Sequence, residues 1–209
     1  MDLKNRIIVV TGGKGLLGKA FIEHANAAGA TAICADIEAK DDLDAGECHM
    51  DITSEESVRA CVDAIVQKFG RIDGWINNAY PRNKAWGTPF EKMPFAGLAE
   101  NLTMHLGGYF LCCEVVLAQM RKQKSGSLIN MGSIYGFAAP DFSLYEGNDI
   151  APLPEYHAIK GGVLQLTRHL AAQYGPYGVR VNTLSPGGIF NNHTDDFRTK
   201  YEKRTPLRR

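Results

Sequence analysis

The sequence lacks several features that would narrow its class at once. It has no net charge: 23 Lys plus Arg balance 23 Asp plus Glu, and the pI is near 7.0. That balance removes any general electrostatic attraction to nucleic acid or to an acidic membrane surface. No apolar run approaches the ~18 residues that a membrane span needs. The first run, residues 7–10, leads into a glycine-rich turn and has no small-residue cleavage pattern behind it, so it does not read as a signal peptide. The five cysteines (Cys34, Cys48, Cys61, Cys112 and Cys113) contain no CxxC pair and no metal-ligand spacing with histidine, which points to no metal. An odd number of thiols without a leader predicts reduced, buried cysteines in the cytoplasm. Repeats and low-complexity linkers are missing too, and 44% apolar with 22% charged residues excludes disorder. What remains is a chain of 209 residues, which suits one domain burying roughly 70% of its unfolded surface.

Short β-rich runs alternate with helical stretches. Strands are predicted over residues 6–10, 31–36, 47–50, 72–77, 127–132 and 179–184, and helices over 15–28, 54–69, 98–123 and 155–174. In the second helix Val58, Cys61, Val62, Ile65 and Phe69 recur at helical spacing, and Asp51 or Thr53 is placed to cap it. Near-continuously apolar strands alternating with helices imply an α/β fold with a parallel sheet covered on both faces. Two irregular segments, 80–94 and 136–154, hold three prolines each and follow strands, where such folds carry binding function.

The run Thr11-Gly12-Gly13-Lys14-Gly15-Leu16-Leu17-Gly18 follows a strand and opens a helix. Glycines there let the backbone turn tightly and approach a pyrophosphate, and the helix N-terminus offers free N–H groups to it. Asp36 ends the next strand, where an acid that binds the adenosine ribose belongs. Its carboxylate can accept both ribose hydroxyls. It repels a 2′-phosphate about 4 Å away by up to roughly 4 kcal/mol per charge pair at an effective dielectric of about 20. The expected cofactor is therefore NAD in preference to NADP, with Lys14 as a cation that offsets part of this if it reaches the same phosphate.

Tyr156 and Lys160 are four residues apart and share a helical face, and Ser133 ends the fifth strand. A phenol near pKa 10 is a poor base at neutral pH. An ammonium about 5 Å away lowers that value by roughly 2 at a dielectric of about 20. Tyr156 is then expected to act as general base for an alcohol or general acid for a ketone, with Ser133 hydrogen-bonding the reacting oxygen.

Together these segments resemble the short-chain dehydrogenase/reductase family. The glycine turn, Asp51-Ile52, Asn77-Asn78-Ala79, Gly132-Ser133, Tyr156 to Lys160 and Ser185-Pro186-Gly187-Gly188 occur in family order over essentially the whole chain. The resemblance implies a Rossmann-like, doubly wound parallel sheet of order 3-2-1-4-5-6-7 in three α/β/α layers. It also implies a nicotinamide cofactor, hydride transfer at a Ser–Tyr–Lys centre, and dimers or tetramers. Cofactor contacts are expected from Gly12, Lys14, Gly15, Leu17 and Gly18, and from Asp36. The resemblance adds Asp51 and Ile52 at the adenine, Asn78 and Ala79 along the cleft, and Pro186, Gly187 and Ile189 at the nicotinamide end. Tyr156 and Lys160 complete the set, Lys160 also on the nicotinamide ribose.

Four features depart from the family pattern. The glycines read GxxGxxG (Gly12, Gly15, Gly18), as in the extended branch of the family, while the other segments resemble the short branch. Tyr80 follows Asn77-Asn78-Ala79 where glycine is usual, which either narrows the cleft or presents Tyr80 to substrate. His105 aligns with the family's catalytic-helix asparagine and is expected to titrate near neutrality as part of a proton relay, with Asn101 as a possible substitute. Ser133 and Tyr156 are separated by a long acidic, proline-rich loop holding Asp141, Tyr145, Glu146 and Asp149, read as a substrate loop or lid. The chain is also expected to be short at its C-terminus. Family members continue through another helix and strand after a segment like Thr205-Pro206-Leu207, so residues 1–209 read as a single domain lacking both. The basic stretch 198–209 reads as a solvated or frayed end.

The segments INNAYPRN, HLGGYF, MGSIYG, LYEG and SPGGIFNN are similar to flagellin-modification and surface-polysaccharide oxidoreductases. The expectation is an NAD-dependent oxidoreductase acting on a secondary alcohol or ketone of an amino sugar or sugar nucleotide. It is expected to be cytoplasmic, free of nucleic-acid and membrane partners, and homo-oligomeric if its C-terminus is complete. Two other readings are a non-catalytic NAD-binding sensor or subunit, and an epimerase or dehydratase that recycles its NAD. The intact Ser–Tyr–Lys set argues against the first, and net NADH accumulation would exclude the second.

Overall fold

Val-, Ile- and Ala-rich runs form the central strands: residues 7–11, 31–36 and 74–77 are mostly buried, whereas in 179–184, at the sheet edge, only Val179 and Val181 are. The structure, a computed structural model, describes residues 2–147 and 152–208. In chain order the strands are β1 (Ile7–Thr11), β2 (Thr31–Asp36), β3 (Glu47–His49), β4 (Gly74–Asn77), β5 (Gly126–Met131) and β6 (Val179–Leu184). They pair in parallel in the order β3-β2-β1-β4-β5-β6. This is the expected Rossmann-like sheet, and no seventh strand occurs among the described residues.

The helices are α1 (Leu16–Ala27), α2 (Glu55–Phe69), α3 (Phe95–Leu102), α4 (Gly108–Gln123), α5 (Pro154–Tyr174) and α6 (Asp195–Glu202). A right-handed crossover from β1 to β2 puts α1 on one face. Crossovers in the opposite direction, through α2, α4 and α5, put those helices on the other face. There α2 packs on α4 and α4 on α5, giving three layers. Between the layers lie Val9, Ile33, Ile65, Ile72, Trp75, Leu117, Met120, Leu128 and Ile159, all fully or almost fully buried.

Several boundaries differ from the sequence expectation, each for a local reason. The fourth strand starts at Gly74 because Ile72 bonds elsewhere: its N–H donates to Gln123 Oε1 at 3.0 Å and its carbonyl accepts Gln123 Nε2 at 2.8 Å. The cap of α2 is Ser54, whose hydroxyl accepts the Ser57 N–H, rather than Asp51 or Thr53. Asp51 instead folds a turn onto Thr53. The predicted helix over 98–123 starts earlier and is interrupted by a π-turn, Thr103–Gly107. Such insertions recur at functional sites, and hydrophobic periodicity does not reveal them.

By length and composition the run Phe95–Gln123 could cross a membrane, yet half of it is buried inside the protein, as in a core helix. Residues 198–208 are mostly exposed, as the solvated reading expects, but they are tied down. Thr194 caps α6 by accepting the Phe197 N–H, Phe197 is buried, and Arg204 pairs with Asp141 at 2.6 Å.

A buried polar chain crosses the centre of the sheet. Trp75 Nε1 donates to Asn77 Oδ1 at 2.7 Å, Asn77 Nδ2 to Asn130 Oδ1 at 2.8 Å, and Asn130 Nδ2 to Thr167 Oγ1 at 2.9 Å. Each member is satisfied by the next, and removing one orphans its neighbours in a low-dielectric interior. Asn130→Ala is therefore expected to lower the unfolding free energy by about 2–4 kcal/mol, read from urea denaturation of variant and wild type.

Candidate active site

All six strands end at one edge of the sheet, and a cleft of about 1120 Å³ opens there. It lies across β1 and β4, where the winding of the sheet reverses, the usual ligand position in such folds. Gly12 leaves β1 with φ +64°, and a Cβ on it would lie 2.7 Å from the Ala79 Cα. Gly18 sits in the first turn of α1 directly against this bend: a Cβ there would come within 2.2 Å of the Gly12 carbonyl oxygen. Gly15 is the N-cap of α1 and brings no side-chain cap, so the first N–H groups of the helix face the cleft unblocked. Backbone this bare, at a helix N-terminus, fits a pyrophosphate.

The turn is locked from the other side of the seam. Thr11 Oγ1 accepts the N–H groups of Asn78 and Ala79 at 2.9 and 3.0 Å, and Asn78 Nδ2 donates to the carbonyls of Thr11 and Gly12, both at 3.1 Å. Thr11 was not among the sequence-derived site residues; its place before the first glycine was the available signal. Asp36 accepts the N–H groups of Lys14 and Glu38 at 2.9 and 3.0 Å. A carboxylate has about four acceptor positions, so it keeps capacity for two ribose hydroxyls. Lys14 does not reach into the cleft as a free cation; its ammonium pairs with Glu47. Leu17, Asp51 and Ile52 line the same end, together with Leu16, which the sequence reading passed over.

At the opposite end Ser133, Tyr156 and Lys160 meet. Ser133 follows β5 and is almost fully buried, and its hydroxyl hydrogen-bonds the Tyr156 phenol. One turn along α5 the Lys160 ammonium lies 5.7 Å from the Tyr156 ring centre. It donates to the Met131 carbonyl at 2.6 Å and to His105 Nε2 at 3.3 Å. The rings of Tyr80 and Tyr109 lie 5.9 and 5.4 Å from it, so three aromatic faces surround the buried cation. Pro186, Gly187 and Ile189 follow β6 and complete this wall.

The electrostatics correct two expectations. Burial raises the Tyr156 pKa above its usual value, and the Ser133 hydrogen bond lowers it by less. The anticipated lowering by Lys160 does not prevail, because burial acts on the lysine as well and takes its pKa down to about 7. His105 does not titrate near neutrality. It sits fully buried in the π-turn, and burial, then the nearby Lys160 charge, hold its pKa well below 6.5. The neutral ring accepts the Lys160 hydrogen bond at Nε2, and its Nδ1 has no partner among the described residues. Asn101 is fully buried: its Oδ1 accepts the Asn83 N–H at 3.0 Å and so holds the 80–94 segment, while its Nδ2 has no partner among the described residues.

That segment forms an aromatic wall. Tyr80 lies edge-on to Trp86, His105 and Tyr156, with centroid separations of 5.3, 5.1 and 6.1 Å. Its ring lines the cleft, as both readings of Tyr80 require. Asn83 Nδ2 donates to the Gly97 carbonyl, and Glu155 Oε1 accepts the Gly87 N–H, clipping the segment to α3 and α5. The 136–154 loop, as far as it is described, is tied to α6: the Tyr135 and Tyr145 hydroxyls lie 2.7 Å apart, Tyr145 packs on Phe197, and Lys200 donates to the Glu146 carbonyl. Asp149 lies outside the described residues. Phe197 and Tyr201 of α6 also line the cleft, and sequence periodicity gave no hint of them.

This arrangement is that of a nicotinamide-type α/β oxidoreductase: a glycine turn with a ribose acid at one end, a Ser–Tyr–Lys group at the other. The sequence profile of the short chain dehydrogenase family matches residues 6–202, and the chain belongs to that family. It is 35% identical to the post-translational flagellin modification protein A of Campylobacter coli, over 96% of this chain and 84% of that protein. It is 31% identical to the levodione reductase of Leifsonia aquatica, over 97% of this chain and 76% of that one. Among solved structures, a short chain dehydrogenase from Leptospira borgpetersenii with bound NAD+ superposes with a TM-score of 0.86 at 30% identity, covering all of this chain and 81% of its own.

The lowered Lys160 pKa has a consequence for stability. In the unfolded chain the lysine titrates near 10.5, in the fold at about 7, so between these values the unfolded state binds more protons and stability rises with pH. Lys160→Met removes this slope. Its stability advantage over wild type is expected to be greatest at or below about pH 7 and to shrink by a few kcal/mol toward about pH 10, measured by urea denaturation at both ends.

Proposed function

We propose that this chain is a single NAD(P)-binding domain that interconverts a secondary alcohol and a ketone, with NAD(H) preferred over NADP(H). The observation that carries the reading is the grouping of Ser133, Tyr156 and Lys160 at one end of a cleft whose other end holds Asp36. Gly12, Gly15 and Gly18 with the α1 N-terminus hold the pyrophosphate, Leu17, Asp36, Asp51 and Ile52 the adenosine, and Asn78, Ala79, Lys160, Pro186, Gly187 and Ile189 the remainder. When bound, the nicotinamide supplies the hydride acceptor or donor.

The protein's own groups handle the proton and the alignment. Ser133 donates a hydrogen bond to the reacting oxygen. Tyr156 as phenolate takes the hydroxyl proton on oxidation, and as phenol returns one on reduction. Lys160, which burial takes down to a pKa of about 7, is held beside Tyr156 by the Met131 carbonyl and His105. His105 Nε2 positions that ammonium as an acceptor and carries no charge of its own.

The substrate we propose is an amino sugar or sugar nucleotide of a surface glycan or flagellin modification. The flagellin modification relative supports the class. The Tyr80–Trp86 wall beside Tyr156 supports it too, since aromatic faces accept the apolar side of a sugar ring while polar edges bind its hydroxyls. We place the enzyme in the cytoplasm, consistent with five free cysteines. We also read it as a homo-oligomer, to which the apolar groove of Leu102, Leu106, Phe110 and Leu166 lends support.

Calorimetric titration with NADH and NADPH tests the cofactor reading: tight NADH and weak NADPH binding is expected, and binding of neither ends it. Tyr156→Phe is expected to fold and to bind NADH while losing at least about 100-fold in kcat, followed by NADH absorbance over a panel of sugars and sugar nucleotides. Retained turnover would remove Tyr156 from its assigned role.

A further inference from the structure

The glycine turn carries a lysine whose side chain is already committed elsewhere. Lys14 donates its backbone N–H to Asp36 Oδ2 at 2.9 Å and extends its ammonium to Glu47 Oε1. Glu47 opens β3, and its second carboxylate oxygen accepts the Lys40 N–H at 3.2 Å. In the β2–β3 register Cys34 faces Glu47 and Asp36 faces His49, so Glu47 stands one strand outward and two residues back from the ribose acid. Lys14, Asp36 and Glu38 line the cleft; Glu47 is not among its lining residues. The ion pair is partly buried, with side chains 32% and 28% exposed, and is therefore less screened than one at the open surface.

We propose that Glu47 sets the dinucleotide preference by holding the Lys14 ammonium away from the place that a ribose 2′-phosphate takes beside Asp36. The inference rests on the NAD-binding reading above and deepens it. A lysine in the glycine turn has a flexible four-carbon stem and is a natural phosphate partner. Released, it would swing toward an anion next to Asp36 and cancel much of the repulsion from that carboxylate. Paired, it is neutralised and drawn to the outer edge of the sheet, which leaves Asp36 and Glu38 as the charged side chains facing a 2′-phosphate. Asp36 thus rejects the phosphate directly, and Glu47 rejects it by removing the cation that would rescue it. Glu47 is a positioning residue acting through Lys14.

The test is the ratio of the NADPH and NADH dissociation constants, measured by calorimetry on wild type and variants. Glu47→Gln removes the charge yet keeps an oxygen for the Lys40 N–H. It is expected to lower the ratio at least about fivefold, in favour of NADPH. Adding Lys14→Met in that background is expected to erase the gain, as a double-mutant cycle requires of two coupled residues. An unchanged ratio in Glu47→Gln, or a gain that survives Lys14→Met, overturns the proposal. Lys14→Met alone leaves β3 intact and is expected to move the ratio by less than about twofold; a larger rise would mean that Lys14 already meets the phosphate, and would also overturn it. Wild type that binds neither dinucleotide refutes the underlying reading, and this inference with it. Wild type that binds NADH while the Glu47→Gln ratio stays put refutes this inference alone.

Discussion

At the seam between β1 and β4 two strand ends must approach closely enough for a ligand to lie across both, and one side chain holds them there. The Thr11 hydroxyl accepts two backbone N–H groups from the segment after β4, while Asn78 returns two hydrogen bonds to the backbone after β1. Neither strand end is free to splay, and the glycine bend is fixed against Ala79 with no room for a Cβ. Asp36 on β2 and the Tyr156 group beyond β5 are referenced to this seam, one on each side. Their separation is set by strand spacing rather than by loops.

The catalytic end is built around a buried cation rather than a buried anion. Lys160 loses its water and gains a carbonyl, a neutral imidazole and three aromatic faces. These partners stabilise the ammonium only in part, which is why its pKa falls to about 7. A carboxylate in the same position would have held the lysine permanently charged. Neutral His105 avoids this, and its own burial, with a lysine as neighbour, keeps it neutral. The π-turn that carries His105 and the clip from Asn101 to Asn83 place the aromatic wall against the same lysine, so Lys160 and that wall share one set of supports.

The two ends of the cleft are built from different kinds of contact. Toward β2 and β3, Asp36, Lys14 and Glu47 lie on three neighbouring elements, joined by the Lys14 backbone N–H to Asp36 and by the Lys14–Glu47 ion pair. Toward Tyr156 the cleft is walled by aromatic packing of Tyr80 and Trp86 and by the loop fastened to α6.

Much of this was readable from residues alone. The parallel α/β sheet follows from strand–helix alternation, and the glycine turn, Asp36, Ser133, Tyr156 and Lys160 follow from motif spacing. Such features are local in sequence, and covalent spacing fixes which side chains share a face. What only tertiary structure decided concerns partners far apart in the chain. Whether Lys14 stays free depends on Glu47 two strands away. Whether His105 titrates depends on how deeply the π-turn is buried and on Lys160, 55 residues later. What α6 packs on is also decided there, since Lys200 and Arg204 reach the 136–154 loop. A pKa and an ion pair are set by solvent exclusion and distance, and neither quantity exists until the chain has packed.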